Sequence, residues 1–207
     1  MQFIERGIYH IYNRGNNKLP IFFNDNNYLY FLKKVRKEIA PHCDILAYCL
    51  MPNHFHFLIQ VKLFIAQAFK QMDIKESISE SARISVQTER HPLSSAIGIL
   101  LSSYSQAINR QNGTTGSLFQ QKTKAKYLDN IDLALTVFHY IHQNPFEAGL
   151  VQKMEDWEFS SFRDYSGLRG GTLCNQQLAL EVFGLTRESF YEESYRAILE
   201  KEMRDIF

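Results

Sequence analysis

The pattern of hydrophobic and polar positions along the chain predicts four extended segments. Residues 7–14 are rich in β-branched and aromatic side chains, which is typical of a strand. Two more strands are predicted near 43–50 and 54–61, and a Pro-Asn dipeptide between them is a tight-turn signal. These two strands should therefore pair as an antiparallel hairpin. The fourth extended segment covers residues 117–127.

Apolar residues that recur at helical spacing predict three helices between and after these strands. They run from about 26 to 40, from 93 to 111 and from 131 to 143. Proline disfavours helical geometry in the residue before it, so the Asn-Pro step after residue 143 should end the third helix. A further helical run is predicted from about 187 to 207.

The order strand, helix, strand, strand, helix, strand predicts an α+β fold of the ferredoxin-like or RRM-like βαββαβ type. The helix over 131–143 follows this core as an added element. We divide the 207 residues into a domain over 1–152 and a C-terminal extension over 153–207 that is mostly helical. Residues 62–92 have scattered apolar positions, which fits either short helices or an insertion.

Composition and charge indicate the general class of protein but do not identify a binding partner. The chain is 45% hydrophobic and 22% charged, as in ordinary globular proteins, and its net charge of +1 argues neither for nor against a polyanion. No stretch approaches the roughly 20 apolar residues that span a bilayer, and the first residues do not resemble a secretory signal. Three cysteines without a Cys-x-x-Cys pair give no disulfide framework. We expect a cytoplasmic protein that does not associate with a membrane.

The pair His54 and His56 is the first candidate for chemistry. Side chains alternate between the two faces of a strand, so both imidazoles should lie on one face, with Phe55, Phe57 and Ile59 on the other. Neutral imidazole is the commonest protein ligand for metal ions. The pair is therefore either a metal-binding pair or two incidental polar residues on a solvent-facing surface.

The third helix places a tyrosine away from its own apolar stripe. At 100° per residue, Tyr140 falls roughly opposite the centre of that stripe, and Asn144 lies one turn further along the same side. Tyr140 is then either an ordinary exposed residue or a hydroxyl presented to a site. The stripe itself consists of Ile131, Ala134, Leu135, Phe138 and Ile141.

Three lysines recur at every second position in the fourth extended segment. In a strand Lys122, Lys124 and Lys126 would project from one face and form a local positive ridge suited to phosphates. The alternative is a charged edge strand, which blocks pairing between sheets.

Five segments of the chain together resemble the REP-associated tyrosine transposases, a group of single-tyrosine HUH transposases, where HUH denotes His-hydrophobe-His. They occur in the family's order and cover most of residues 7–165. One of them reads Met-Pro-Asn-His-Phe-His-Phe-Leu-Ile, and another reads Tyr-Ile-His-Gln-Asn-Pro. The segments are 9–17, 47–59, 116–120, 140–145 with 148–151, and 157–161.

This resemblance implies a metal-dependent transesterase of single-stranded DNA. His54 and His56 would hold a divalent ion, Mg²⁺ or Mn²⁺, and histidine ligands suit Mn²⁺ better. Tyr140 would be the nucleophile that forms a covalent 5′-phosphotyrosine, and Asn144 occupies the position of a third polar ligand. The implied substrates are short palindromic repeats folded as hairpins, and the protein would associate with the nucleoid when bound to DNA.

The sequence departs from the family pattern in two places, one of which concerns a possible insertion and the other the contacts to DNA. Residues 62–92 are longer than the usual connection, which indicates an insertion. The family often has an Arg-Tyr-Lys-type run where this chain reads Gln-Gln-Lys-Thr-Lys-Ala-Lys. The candidate DNA-contacting residues are Lys122, Lys124, Lys126, Asn13, Arg14 and Arg110.

Other functional classes stay open at this stage. A relative of the family that has lost catalysis would bind single-stranded or hairpin nucleic acid without cutting it, as RNA-recognition domains do. A zinc hydrolase is disfavoured because the sequence offers no clear third ligand at zinc-like spacing and no water-activating carboxylate. The sequence does not decide between a monomer and a homodimer.

Overall fold

Four antiparallel strands form the sheet at the centre of the protein. The computed structural model describes residues 1–63 and 91–196. The strands are β1 (Ile8–Arg14), β2 (Cys43–Met51), β3 (His54–Val61) and β4 (Lys124–Leu128), and their order in the sheet is β2-β3-β1-β4. The predicted hairpin is confirmed, because β2 and β3 pair antiparallel from Met51 opposite His54 onward.

One face of the sheet is covered by two helices, α1 (Asp25–Glu38) and α2 (Leu93–Asn112). The Asn24 side chain caps α1 by accepting a hydrogen bond from the Asn27 backbone N–H. Phe31 of α1 lies between the strand residues of this face and Tyr104 of α2, with ring centroids 4.8 Å from Tyr104. The apolar stripes predicted from helical spacing therefore face this core.

The helix α3 (Ile131–Glu147) packs on the opposite face, mainly over β2. It runs through Asn144 and Pro145, so the expectation that it ends at residue 143 is wrong. Both residues are buried, and the backbone N–H groups of Ala148 and Leu150 close the last turn on the Asn144 and Pro145 carbonyls. Tertiary packing thus overrides the local preference of the Asn-Pro step.

The extended segment predicted over 117–127 is a strand only from Lys124 onward. Before it, Phe119 makes an isolated bridge to Gly15, and Lys122 has a backbone φ of 71°. Within this loop the Asn13 amide donates to the Gln120 carbonyl at 3.2 Å. The predicted three-lysine ridge is therefore interrupted, since strand alternation applies to Lys124 and Lys126 alone.

The described part of the C-terminal extension packs into the same core as the sheet. It contains α4 (Phe162–Tyr165), α5 (Gln176–Phe183) and α6 (Arg187–Ser194). The helix within the predicted run from 187 ends at Ser194, and Gln143 of α3 donates to the Ser194 and Arg196 carbonyls at this end.

Three sequence expectations remain outside these observations. Most of the predicted insertion over 62–92, and the predicted helix beyond residue 196, lie outside the described residues. The domain boundary at residue 152 stays a prediction. Within the described residues, the helices are too short or too polar to cross a bilayer.

Candidate active site

A cavity of about 420 Å³ opens on the face of the sheet that carries the two histidines. Seven of the residues singled out from the sequence line it, together with two that sequence reasoning missed, Tyr12 and Gln120. The lining residues are Tyr12, Asn13, Arg14, His54, His56, Gln120, Lys122, Lys124 and Tyr140.

Strand register explains why these residues meet. Tyr12 lies opposite both His56 of β3 and Lys124 of β4, while Arg14 lies opposite His54. Residues opposite each other in an antiparallel pair project from the same face of the sheet. The three neighbouring strands therefore place two imidazoles, a phenol and two cations on one surface.

His54 is held by the turn that precedes it. Its Nδ1 lies 2.6 Å from Oδ1 of Asn53, and its ring is perpendicular to that of His56 at a centroid distance of 5.0 Å. Burial, with a contribution from the positive charge of Arg14, lowers the pKa of His54 to about 4. This imidazole is therefore neutral at pH 7, which is the form that binds a metal ion.

His56 is held from the neighbouring strand by His10, a residue that sequence reasoning did not single out. Nδ1 of His56 lies 2.9 Å from Nε2 of His10, and the two rings stack at 5.1 Å. Burial lowers the pKa of His56 well below its usual value and lowers that of His10 to about 3. Only the pairing of β1 with β3 brings the two residues together, so no local sequence signal could have revealed the contact.

The third helix α3 places Tyr140 over this pair of strands. The Tyr140 and His56 ring centroids are 5.7 Å apart, with the planes nearly perpendicular at 80°. Burial raises the pKa of Tyr140 to about 12, while a hydrogen bond from Asn144 acts in the opposite direction. At pH 7 about one molecule in 10⁵ would carry a phenolate at this pKa. The hydroxyl is thus present as a phenol that must lose its proton in order to react.

Asn144 lies between Tyr140 and the metal-binding candidate His54 and interacts with both. Its Nδ2 donates to the Tyr140 carbonyl at 2.9 Å, which leaves Oδ1 as the atom able to act as a ligand. Side-chain hydrogen bonding to Asn144 also raises the pKa of His54, against the larger effect of burial. The structure therefore brings the predicted third ligand next to both His54 and Tyr140.

The predicted DNA-contacting residues fall into three groups. Arg14, Lys122 and Lys124 are exposed and line the cavity. Lys126 lies opposite His10 on β1, near the cavity but outside its lining.

The third group does not present charge to the cavity. Asn13 is buried and uses its amide to hold the loop before β4, donating to Thr123 Oγ1 at 2.9 Å. Arg110 lies on α2, which covers the opposite face of the sheet. The structure therefore does not bring Arg110 to this site.

The donor atoms present fit a divalent metal ion. Two neutral imidazoles and one amide oxygen form a mixed nitrogen and oxygen set, which suits Mn²⁺ and leaves coordination positions for water or phosphate oxygens. Within residues 1–63 and 91–196, no group of three or more His, Cys, Asp or Glu side chains is arranged to hold a metal. The fit therefore depends on the amide of Asn144 as the third donor.

The chain was compared with protein families, curated proteins and solved structures. No family model matches the chain, and no curated protein matches it. Among solved structures it is similar to a REP-associated tyrosine transposase bound to a REP hairpin, with a TM-score of 0.51 and 16% identity. The match covers 82% of this chain and 84% of that chain.

At this identity the likeness shows the fold alone. The part of the chain that the structure describes has an α+β arrangement of four antiparallel strands and six α-helices. This arrangement is consistent with a transposase-like fold.

Proposed function

We propose that this protein is a metal-dependent transesterase that cuts and rejoins single-stranded DNA through Tyr140. The observation that carries the proposal is the meeting of Tyr140 with His56 at 5.7 Å in a cavity also lined by His54. The three exposed cations of the cavity, Arg14, Lys122 and Lys124, add the charge that phosphates require. A nucleophile, two neutral imidazoles and three cations in one cavity suit phosphoryl transfer better than binding alone.

The proposed reaction exchanges one phosphate ester for another. The Tyr140 hydroxyl attacks phosphorus, a bond from its oxygen to phosphorus forms, and the bond from phosphorus to the 3′-oxygen breaks. The phenol loses its proton, and the departing 3′-oxygen takes one up. The products are a 5′-phosphotyrosine and a free 3′-hydroxyl, and the ester energy is retained for the reverse step.

The chain's own residues would hold and orient this reaction. Arg14, Lys122 and Lys124 would neutralise phosphates on either side of the attacked one and keep the strand in the cavity. His54, His56 and Asn144 would hold Mg²⁺ or Mn²⁺, which stabilises negative charge on the phosphate when bound. Burial of Tyr140 keeps the phenol protonated until substrate is present.

The substrate class follows from the similar structure, which is a transposase bound to a REP hairpin. That likeness supports a DNA-processing role, and we extend it to palindromic repeats folded as hairpins with a single-stranded flank. We also propose that the sheet and its helices belong to the ferredoxin-like class. The strand order β2-β3-β1-β4 with antiparallel neighbours supports this assignment.

The test is an adduct assay on hairpin DNA with a single-stranded flank and Mn²⁺. One oligonucleotide set carries a 3′-end label and a second set carries a 5′-end label. The parent should retain the 3′-labelled fragment on the protein in a denaturing gel and release the 5′-labelled fragment. Tyr140→Phe should form no adduct, whereas Tyr127→Phe should match the parent, because Tyr127 lies on the other face of β4 and is 45% exposed.

The ligand variants separate catalysis from binding. His54→Ala and His56→Ala should abolish metal-dependent cleavage while retaining most of the hairpin affinity. If Tyr140→Phe forms as much adduct as the parent, the nucleophile is wrongly assigned. If the parent binds the hairpin and forms no adduct under any metal, the protein is a binding module and the proposed reaction is refuted.

A further inference from the structure

The turn between β2 and β3 is held by a loop from elsewhere in the chain. The Gly15 N–H donates to the Asn53 carbonyl at 2.8 Å, and the Ile21 N–H donates to the Pro52 carbonyl at 2.8 Å. A Cβ at Gly15 would lie 2.1 Å from the Leu19 carbonyl oxygen, so the loop closes this tightly only with glycine there. The turn that precedes His54 is therefore fixed in place.

The Asn53 amide decides which nitrogen of His54 carries the proton. Its Nδ2 donates to the Lys18 carbonyl at 3.1 Å, and a carbonyl can only accept. Oδ1 is then the atom that faces His54 Nδ1 at 2.6 Å, and an amide oxygen can only accept as well. Nδ1 of His54 is therefore the donor in this contact, which leaves the lone pair on Nε2. Asn144, which also hydrogen-bonds His54, is the group that competes with Asn53 for this proton.

His10 contacts the second histidine through a ring nitrogen, which can either donate or accept. Its Nε2 meets Nδ1 of His56 at 2.9 Å, and both side chains are buried, at 0% and 3% exposure. The Tyr12 ring packs on His10 at 4.7 Å and fixes its plane. Since Nδ1 of His56 is engaged with His10, Nε2 is the nitrogen that His56 can offer to a metal.

We propose that Asn53 is a positioning residue that holds the proton of His54 on Nδ1 and so leaves the lone pair on Nε2. His10 is a positioning residue that engages Nδ1 of His56 and so leaves Nε2 for the metal. This inference rests on the proposed function only for the identity of the metal-binding pair. Hydrogen bonds of this kind orient metal-binding histidines, and their loss typically costs about 10–100-fold in metal affinity.

The proposal is tested on the full chain without DNA, so that its outcome is independent of the adduct assay. Two-dimensional ¹H–¹⁵N NMR of the imidazole nitrogens reports which nitrogen of each histidine is protonated. Mn²⁺ affinity is then measured from the electron paramagnetic resonance signal of the free ion. Asn53→Ala should move the His54 proton largely to Nε2 and weaken Mn²⁺ binding by about 10–100-fold.

Two further variants separate positioning from loop support. Asn53→Asp loses the bond to the Lys18 carbonyl and keeps an oxygen for His54 Nδ1, so it should retain the Nδ1–H form and near-parental affinity. Asn16→Ala removes a neighbouring amide that donates to the Ser117 carbonyl at 2.6 Å, and it should change neither readout. For His56, His10→Phe keeps the ring volume, removes the contact to Nδ1 and should weaken Mn²⁺ binding by about 10–100-fold.

The outcomes are decisive in each arm. If Asn53→Ala keeps the parental proton placement and the parental Mn²⁺ affinity, the proposal is wrong. If Asn53→Asp is as impaired as Asn53→Ala, the proposal is also wrong, because Asn53 then only supports the loop. Absence of Mn²⁺ binding in the parent would overturn the link to a metal. If His10→Phe fails to fold, His10→Gln takes its place, with an expected loss of Mn²⁺ affinity smaller than that of Asn53→Ala. Failure to form a DNA adduct, with the histidine results as expected, would refute the proposed function alone.

Discussion

The two faces of the central sheet differ in what covers them, although the same strand supplies both. On one face Phe55 and Phe57 of β3 pack against Phe31, and Phe55 also contacts Phe119. The helices α1 and α2 cover this core. On the other face His54 and His56 alternate with those phenylalanines and border the cavity. The alternation of side chains along β3 therefore gives one face that stabilises the fold and an opposite face that carries the candidate site.

The difference teaches where a site arises on such a sheet. The helix α3 packs mainly over β2 and brings Tyr140 to His56, while Arg14 and Lys124 nearby stay exposed. Of the two histidines of β3, His56 is buried next to Tyr140 and His54 is half-buried. The site lies at the boundary of that cover, where buried, neutral imidazoles meet exposed cations.

The largest expected effect is on the core face. Phe31→Ala removes a fully buried ring that contacts Phe55, Phe57 and Tyr104, and it should lower the free energy of unfolding by about 3–5 kcal/mol. Urea unfolding gives this value, and Mn²⁺ affinity of the folded protein should stay parental. Leu29→Ala, on the exposed side of the same helix, should change stability by about 0.5 kcal/mol or less. A loss below about 1 kcal/mol in Phe31→Ala would contradict the division of the two faces.

The site face should make the protein sensitive to acid. Burial lowers the pKa of His10 to about 3 and that of His54 to about 4. The unfolded chain takes up protons near pH 6.5 and the folded chain does not, so stability falls as the pH drops below 6.5. Each of these histidines should cost about 2 kcal/mol at pH 5 relative to pH 7. Urea unfolding at both values checks this, and equal stability would show that the histidines are accessible to water.

The smallest expected effect is on the salt dependence of DNA binding, which should differ between cations on the two faces of the sheet. Lys122→Ala and Lys124→Ala should each reduce the slope of log affinity against log salt by about 0.7 for single-stranded DNA. Arg110→Ala should leave the slope unchanged, because α2 covers the other face. Fluorescence anisotropy with a labelled oligonucleotide between 50 and 200 mM salt measures the slope. A loss in Arg110→Ala equal to that in Lys124→Ala would place DNA on both faces.

Local patterns in the sequence predicted the elements and much of the site. Strand alternation predicted that His54 and His56 share a face, and the hairpin between β2 and β3 is confirmed. Helical spacing predicted that Tyr140 and Asn144 lie together, and the structure links them by a hydrogen bond. The roles of these residues in catalysis and metal binding remain proposals.

Long-range contacts account for what local patterns could not predict. The loop that contains Lys122 accepts a hydrogen bond from Asn13, more than 100 positions earlier, and the continuation of α3 through Pro145 depends on burial. The end of α6 at Ser194 accepts a hydrogen bond from Gln143 of α3. Each of these features involves packing or hydrogen bonding that the neighbouring residues in the sequence do not determine.

The sequence by itself determined the order of the elements, the face of each strand that carries chemistry, and the side of α3 that bears Tyr140. These follow from periodicity, which is a property of neighbouring residues. Only the tertiary structure decided that His10 meets His56 and that Asn53 bridges the Lys18 carbonyl and His54. Strand register and loop closure set these contacts, and both depend on packing of the whole sheet rather than on any single segment.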